Sequence, residues 1–225
     1  MKKTHLRGAT YVKKGMLSYS QDTFEIGVDE CGRGCLAGPV VAAAVLWDPA
    51  WLRSNLPDPI VMSIIKDSKK LSAKRRMECD AYIRKHAHTW SLSFVDEATI
   101  DSKNILEATY DAMHACLDDM FVKNPAFRGR LLIDGNRFRP YDEGSNVDIT
   151  DVRCVVGGDN VHLCIASASI LAKVARDEYM ERMSERYDDR YGWKTNKGYG
   201  TREHIEGIER HGVCELHRKS FRRCC

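Results

Sequence analysis

Apolar and polar positions alternate at the start of the chain's ordered pattern. Phe24, Ile26 and Val28 alternate with Glu25, Gly27 and Asp29, which predicts a strand ending in an acid. The turn Cys31-Gly32-Arg33-Gly34 follows. From Val40 to Trp47 the apolar run is nearly continuous and β-branched, as in a strand covered on both faces, so the two strands are expected as a hairpin or close neighbours. The two prolines between Leu56 and Ile60 predict a loop. Ser72 can cap a helix that runs to about 86, with Lys74, Arg75 and Arg84 on its wet side. Alternation returns over 89–95, with Trp90, Leu92 and Phe94 predicted on one face.

Apolar residues spaced by three and four, from Ile105 through Met113 to Met120, predict an amphipathic helix over 103–121 that Asn124-Pro125 ends. A short strand over 130–133 then delivers Asp134 to Gly135-Asn136. Another over 152–156 leads into Gly157-Gly158-Asp159. Long and short helices are expected over 166–187 and 203–210. This order of mixed elements predicts one α/β domain with a small helical, basic tail.

Length and composition agree: 225 residues, 43% hydrophobic and 30% charged, suit a single domain with a substantial core. The net charge of +3 is unevenly spread. Residues 1–14 hold five bases and no acid, and 194–225 hold eight bases against four acids, so the middle is acidic. Two readings are open: basic ends that grip a polyanion worked on by an acidic centre, or solvated termini. Nine cysteines in a chain this long fit a reducing compartment rather than a disulfide scaffold. Cys31, Cys35, Cys79, Cys116, Cys154 and Cys164 read as small hydrophobes. Cys214, His217, Cys224 and Cys225 offer half of a zinc site with no second half, so zinc is not expected. With no apolar run of membrane-spanning length and no signal-peptide core, a cytoplasmic protein is expected.

Three predicted strands thus end in carboxylates: Asp29 with Glu30, Asp134, and Asp159. If those ends lie side by side, the acids repel unless a hard divalent cation joins them. Two such ions can activate water against a phosphodiester. Adjacent strand residues point to opposite faces, so Asp29 and Glu30 share such a site only if the chain bends there, which Gly32 and Gly34 allow. Each acid taken alone is an ordinary turn former.

The stretches Gly27-Val28-Asp29-Glu30-Cys31-Gly32-Arg33-Gly34, Asp67-Ser68-Lys69-Lys70-Leu71-Ser72, Leu132-Ile133-Asp134-Gly135-Asn136, Ala168-Ser169-Ile170-Leu171-Ala172-Lys173, Lys197-Gly198-Tyr199 and His217-Arg218-Lys219-Ser220-Phe221 resemble, in order, the motifs of type 2 ribonuclease H, ribonuclease HII. The resemblance implies a ribonuclease H-like mixed five-stranded sheet flanked by helices, with a small helical C-terminal extension. It divides the chain into a basic N-terminal segment (1–20, possible as a mobile end), a catalytic core (21–193) and a basic extension packed on the core (194–225). It implies an endonuclease that hydrolyses RNA in RNA/DNA hybrids and cuts 5′ to single ribonucleotides in duplex DNA, leaving 3′-hydroxyl and 5′-phosphate ends. Asp29, Glu30, Asp134 and Asp159 match the family's metal-binding catalytic acids, for Mg²⁺ or Mn²⁺, two ions with substrate bound. Gly32, Arg33, Gly34 and Tyr199 match its sensor of the RNA-to-DNA junction, and Lys69, Lys70, Lys173 and Lys197 are candidate phosphate contacts. A monomer is expected. Gly157 and Gly200 stand where the family usually has lysine and proline. The alternatives are a related-fold DNA nuclease of resolvase type and a catalytically silent hybrid-binding protein.

Overall fold

In a computed structural model, residues 20, 22–55, 71–141 and 147–224 are described. The basic 1–14 stretch, the predicted loop over 56–60, and Lys69 and Lys70 lie outside them. Strand β1 (Phe24–Cys31) pairs antiparallel with β2 (Val40–Leu46), and β2 pairs antiparallel with β3 (Thr89–Val95). On its other edge β1 runs parallel to β4 (Arg128–Asp134), which runs parallel to β5 (Asp148–Val155), so the order is β3-β2-β1-β4-β5. This is the mixed five-stranded sheet that the motifs imply.

The unbroken apolar run of β2 is explained by a helix on each face. Val41, Ala43 and Val45 point into a core shared with α5 (Leu163–Arg186), while Ala42, Ala44 and Leu46 point into one shared with α4 (Ile105–Lys123). Gly27 lets α5 come close, because a Cβ there would lie 2.3 Å from the Cys164 carbonyl carbon. The two-residue alternation of β1 therefore places Gly27 and Asp29 on the α5 side and Ile26 and Val28 on the other.

Helix α1 (Pro49–Asn55) follows β2, and Ser72 caps α2 (Ala73–His86) by accepting from the Arg75 N–H. In β3 the expected shared face holds, with Trp90, Leu92 and Phe94 opposite Val45, Ala43 and Val41 on the α5 side, although Phe94, near Tyr179, is itself exposed. Two expectations need correction. The helix predicted over 103–121 begins later, as α4 (Ile105–Lys123), and a separate unpredicted helix, α3 (Glu97–Lys103), precedes it, because Asn104 takes φ 80° and its Oδ1 caps α4 through the N–H groups of Leu106 and Glu107. Cys154 is exposed, since β5 is a sheet edge, whereas Cys35, Cys79, Cys116 and Cys164 are buried as expected.

After α5, the short helices α6 (Trp193–Asn196) and α7 (Arg202–His211) fold back over the loop between β1 and β2. Ala37 of that loop joins Met180, Tyr191, Trp193 and Leu216 in a small core, and Leu36 N–H donates to Gly198 O at 2.8 Å. Among the described residues no helix is long and apolar enough to cross a membrane.

Candidate active site

Because β1 and β4 are parallel with Val28 opposite Ile133, their ends bring Asp29 and Asp134 alongside each other. Asp29 is 5% exposed. Burial pushes its carboxyl well above the ordinary carboxylate range, and the charges of Glu30 and Asp134 add to that. The Ser169 hydroxyl and the Glu30 N–H, the latter donating at 2.7 Å, oppose it. Glu30 is also raised, first by burial and partly by Asp134, while an ion pair with Arg33 at 3.2 Å pulls the other way.

The expected bend between Asp29 and Glu30 is absent. Pairing continues regularly through Glu30 opposite Ala42 and Cys31 opposite Val41, and the chain turns only at Gly32, whose φ is 100°. Glu30, the next-to-last residue of the strand, is drawn to Arg33 yet stays close enough to Asp29 and Asp134 for the three charges to act on one another.

The fourth acid, Asp159, arrives through a turn. Asp134 Oδ1 accepts from the Gly158 N–H at 2.7 Å, and Gly158 opens the 3₁₀ turn Gly158–Asn160 that carries Asp159, itself 1% exposed. Gly157 enters this turn in the left-handed region, φ 66°, where a lysine would be strained. Asp148 and Asp151 lie on β5 away from its turn, paired with Arg128 and Arg153. Among the described residues no three His, Cys, Asp or Glu side chains stand close enough to enclose a metal ion as placed. The donor chemistry nonetheless fits one: hard carboxylate oxygens whose mutual repulsion already raises Asp29 are what Mg²⁺ or Mn²⁺ relieves.

Beside the acids lies the Gly-Arg-Gly turn. A Cβ on Gly32 would meet Arg176 Nε at 2.1 Å, while one on Gly34 would meet nothing within 4 Å, so the turn is packed from below and bare outside. Tyr199 is 40% exposed; burial pushes its hydroxyl up, and Cys31 and Cys35 beside the turn add to that. Lys173 Nζ and Arg176 Cζ stand 5.7 and 5.9 Å from its ring centre. Lys173 also pairs with Asp177 at 2.6 Å. Lys197 donates to Glu181 and to the Lys194 carbonyl, and its own carbonyl accepts from Arg176.

Three residues of this neighbourhood escaped the reading of the sequence. Ser169 hydrogen-bonds Asp29 from one helical turn before Lys173 on α5, a spacing that could have placed both on one face. Arg176 is fully buried and donates to the carbonyls of Ala37, Pro39 and Lys197. Arg218, also fully buried, donates to the carbonyls of Arg33 and Gly38. Two guanidinium groups therefore hold the loop carrying the Gly-Arg-Gly turn against the tail.

Comparison with known proteins points the same way. A ribonuclease HII of Chlorobium luteolum is 47% identical over 196 residues, 87% of each chain, and one of Christiangramia forsetii is 42% identical over 196 residues, 87% of this chain and 89% of that one. The crystal structure of ribonuclease H2 from Pyrococcus horikoshii superposes with a TM-score of 0.70 at 20% identity, covering 89% of this chain and 95% of that one. Bst-RNase HIII, solved in complex with Mn²⁺, superposes with a TM-score of 0.70 at 22% identity, over 90% of this chain and 68% of that one. The family model described as Ribonuclease HII matches residues 26–224, and the chain belongs to that family as a ribonuclease H, a hydrolase.

Proposed function

We propose that this ribonuclease H hydrolyses the RNA strand of RNA/DNA hybrids and cuts duplex DNA on the 5′ side of a single embedded ribonucleotide, leaving 3′-hydroxyl and 5′-phosphate ends. The observation that carries the reading is the juxtaposition of Asp29 and Asp134 at neighbouring strand ends with a bare Gly-Arg-Gly turn and a half-exposed tyrosine beside them. Asp29, Asp134, Glu30 and Asp159 would hold Mg²⁺ or Mn²⁺, which when bound supplies activation of water and stabilisation of the leaving oxygen.

The chain's own groups set where the cut falls. Gly34 leaves the backbone of the turn open to a ribose 2′-hydroxyl, the group that separates RNA from DNA. Tyr199 offers a ring face to the sugar that follows. Lys173 and Lys197, with Lys69 and Lys70, meet phosphates without reading sequence. Lys197 also contributes through its main chain, on which Arg176 rests. The segment 1–20 stands apart from this chemistry, the core 21–193 carries it, and 194–225 holds the turn in place.

The test is a duplex with one ribonucleotide incubated with Mg²⁺, Mn²⁺ or chelator, the cut mapped to the nucleotide. Metal-dependent cleavage 5′ to the ribonucleotide is expected. Equal cutting of all-DNA duplex would favour a resolvase-like enzyme, and salt-dependent binding without turnover a silent hybrid-binding protein.

A further inference from the structure

Tyr199 is followed by Gly200, which gives the backbone no side-chain restraint. Its carbonyl is nevertheless fixed from two sides, by the Thr201 N–H at 2.8 Å and by His204 Nδ1 at 3.0 Å. His204 is fully buried in the first turn of α7, and its other nitrogen, Nε2, lies 3.0 Å from Trp193 Nε1 and 3.2 Å from Nε2 of the buried His217. His217 Nδ1 in turn faces the Cys214 N–H at 3.0 Å and the Cys214 thiol at 3.2 Å.

These contacts allow one arrangement of protons. The Tyr199 carbonyl can only accept, so His204 Nδ1 carries hydrogen. The Trp193 N–H can only donate, so His204 Nε2 carries a lone pair. His217 must then donate from Nε2, which leaves its Nδ1 to accept from Cys214. All the contacts close with both rings neutral, and burial agrees, pulling His204 down and His217 to about 4. With either ring charged, a second donor would face the Nε2–H of its partner or the Cys214 N–H.

We propose that His204 is a positioning residue that sets the main chain of Tyr199, with His217 selecting the tautomer that lets it do so, and that junction selectivity depends on this relay. The proposal rests on the reading of Tyr199 as junction sensor. It makes the C-terminal tail part of the specificity apparatus: its last turns reach the reading loop through two imidazoles rather than by packing alone.

The test compares kcat/KM on a single-ribonucleotide duplex with that on a long hybrid, for the full chain and for Tyr199→Ala, His204→Leu and His204→Asn. Asparagine keeps a donor where Nδ1 stands, and leucine does not. The expected result is a ratio lowered about 10- to 100-fold by His204→Leu, as by Tyr199→Ala, and held within roughly threefold of the parent by His204→Asn. Equal losses in the two His204 variants, or no loss in His204→Leu while Tyr199→Ala loses the preference, would overturn the relay and leave the sensor intact. An unchanged ratio in Tyr199→Ala would overturn the sensor reading and the relay's purpose with it. Independently of any variant, ¹⁵N spectra of the histidine rings of the parent at pH 7 should show His204 protonated at Nδ1 and His217 at Nε2. The opposite tautomers, or a charged ring, would overturn the proposal.

Discussion

Asp134 accepts a 2.7 Å hydrogen bond from the Gly158 N–H, so the acid at the end of β4 is fixed by the turn that carries Asp159. A Cβ at Gly158 would lie 3.3 Å from Asp134 Oδ1 and 2.5 Å from Ile165 Cδ1. Gly158→Ala should therefore shift Asp134 and lower turnover about 10- to 100-fold, with a stability loss of about 1–3 kcal/mol from overpacking. Steady-state kinetics and urea unfolding of the same preparation check both.

The crowding of Asp29 by Glu30 and Asp134 opposes folding while it serves binding. Asp29→Asn removes a buried charge that both neighbours repel. At neutral pH without divalent metal the variant should melt higher, by about 2–4 °C for each kcal/mol of relief, while cleavage falls by orders of magnitude. Calorimetry in chelator, beside a cleavage assay, measures the two effects.

Arg218 reaches Gly38 O through Nε and Nη2 and Arg33 O through Nη1, three bonds that only a fork can make at once. Burial pulls its guanidinium down to about 10, yet it remains charged at neutral pH. Arg218→Lys should cost about 2–3 kcal/mol in denaturant unfolding, because lysine leaves a buried carbonyl without its donor.

His217 fixes one part of the acid response. Its folded pKa of about 4 lies below the ordinary 6.5, because the ring is buried beside His204. Above pH 6.5 the ring is neutral whether folded or not, and it contributes no slope. Between 6.5 and 4 the unfolded chain takes up a proton that the folded chain refuses, so stability falls on acidification, by about 3 kcal/mol at most. Asp29 and Glu30, raised in the fold, act in the opposite sense. The contribution of His217 is thus read as a difference: His217→Gln should unfold with a flatter dependence over that interval than the parent.

Much of this was legible in the chain because it follows from local periodicity. The alternation through Val28 and the apolar run of β2 fix which strands are covered on which faces, and acids at strand ends are visible wherever alternation stops at a glycine turn. What escaped depends on partners distant in sequence. Arg176 and Arg218 look like surface bases until the carbonyls of the loop from Arg33 to Pro39, over a hundred positions away, fold against them. The short helix α3 has too few turns to show a period, and its junction with α4 is set by one side chain, Asn104, capping the N–H groups of Leu106 and Glu107. The pairing of Lys197 with Glu181 is likewise invisible in the chain, where a basic residue in a basic tail shows no partner.

The central claim, that the strand-end acids serve a bound divalent cation rather than the fold or the grip on the duplex, is tested most directly with Asp134→Asn. Binding to an RNA/DNA hybrid and cleavage of it in Mg²⁺ are measured on the same protein. Hybrid affinity within a few-fold of the parent, with turnover lowered by orders of magnitude, is the result predicted. Near-normal cleavage by Asp134→Asn would contradict it.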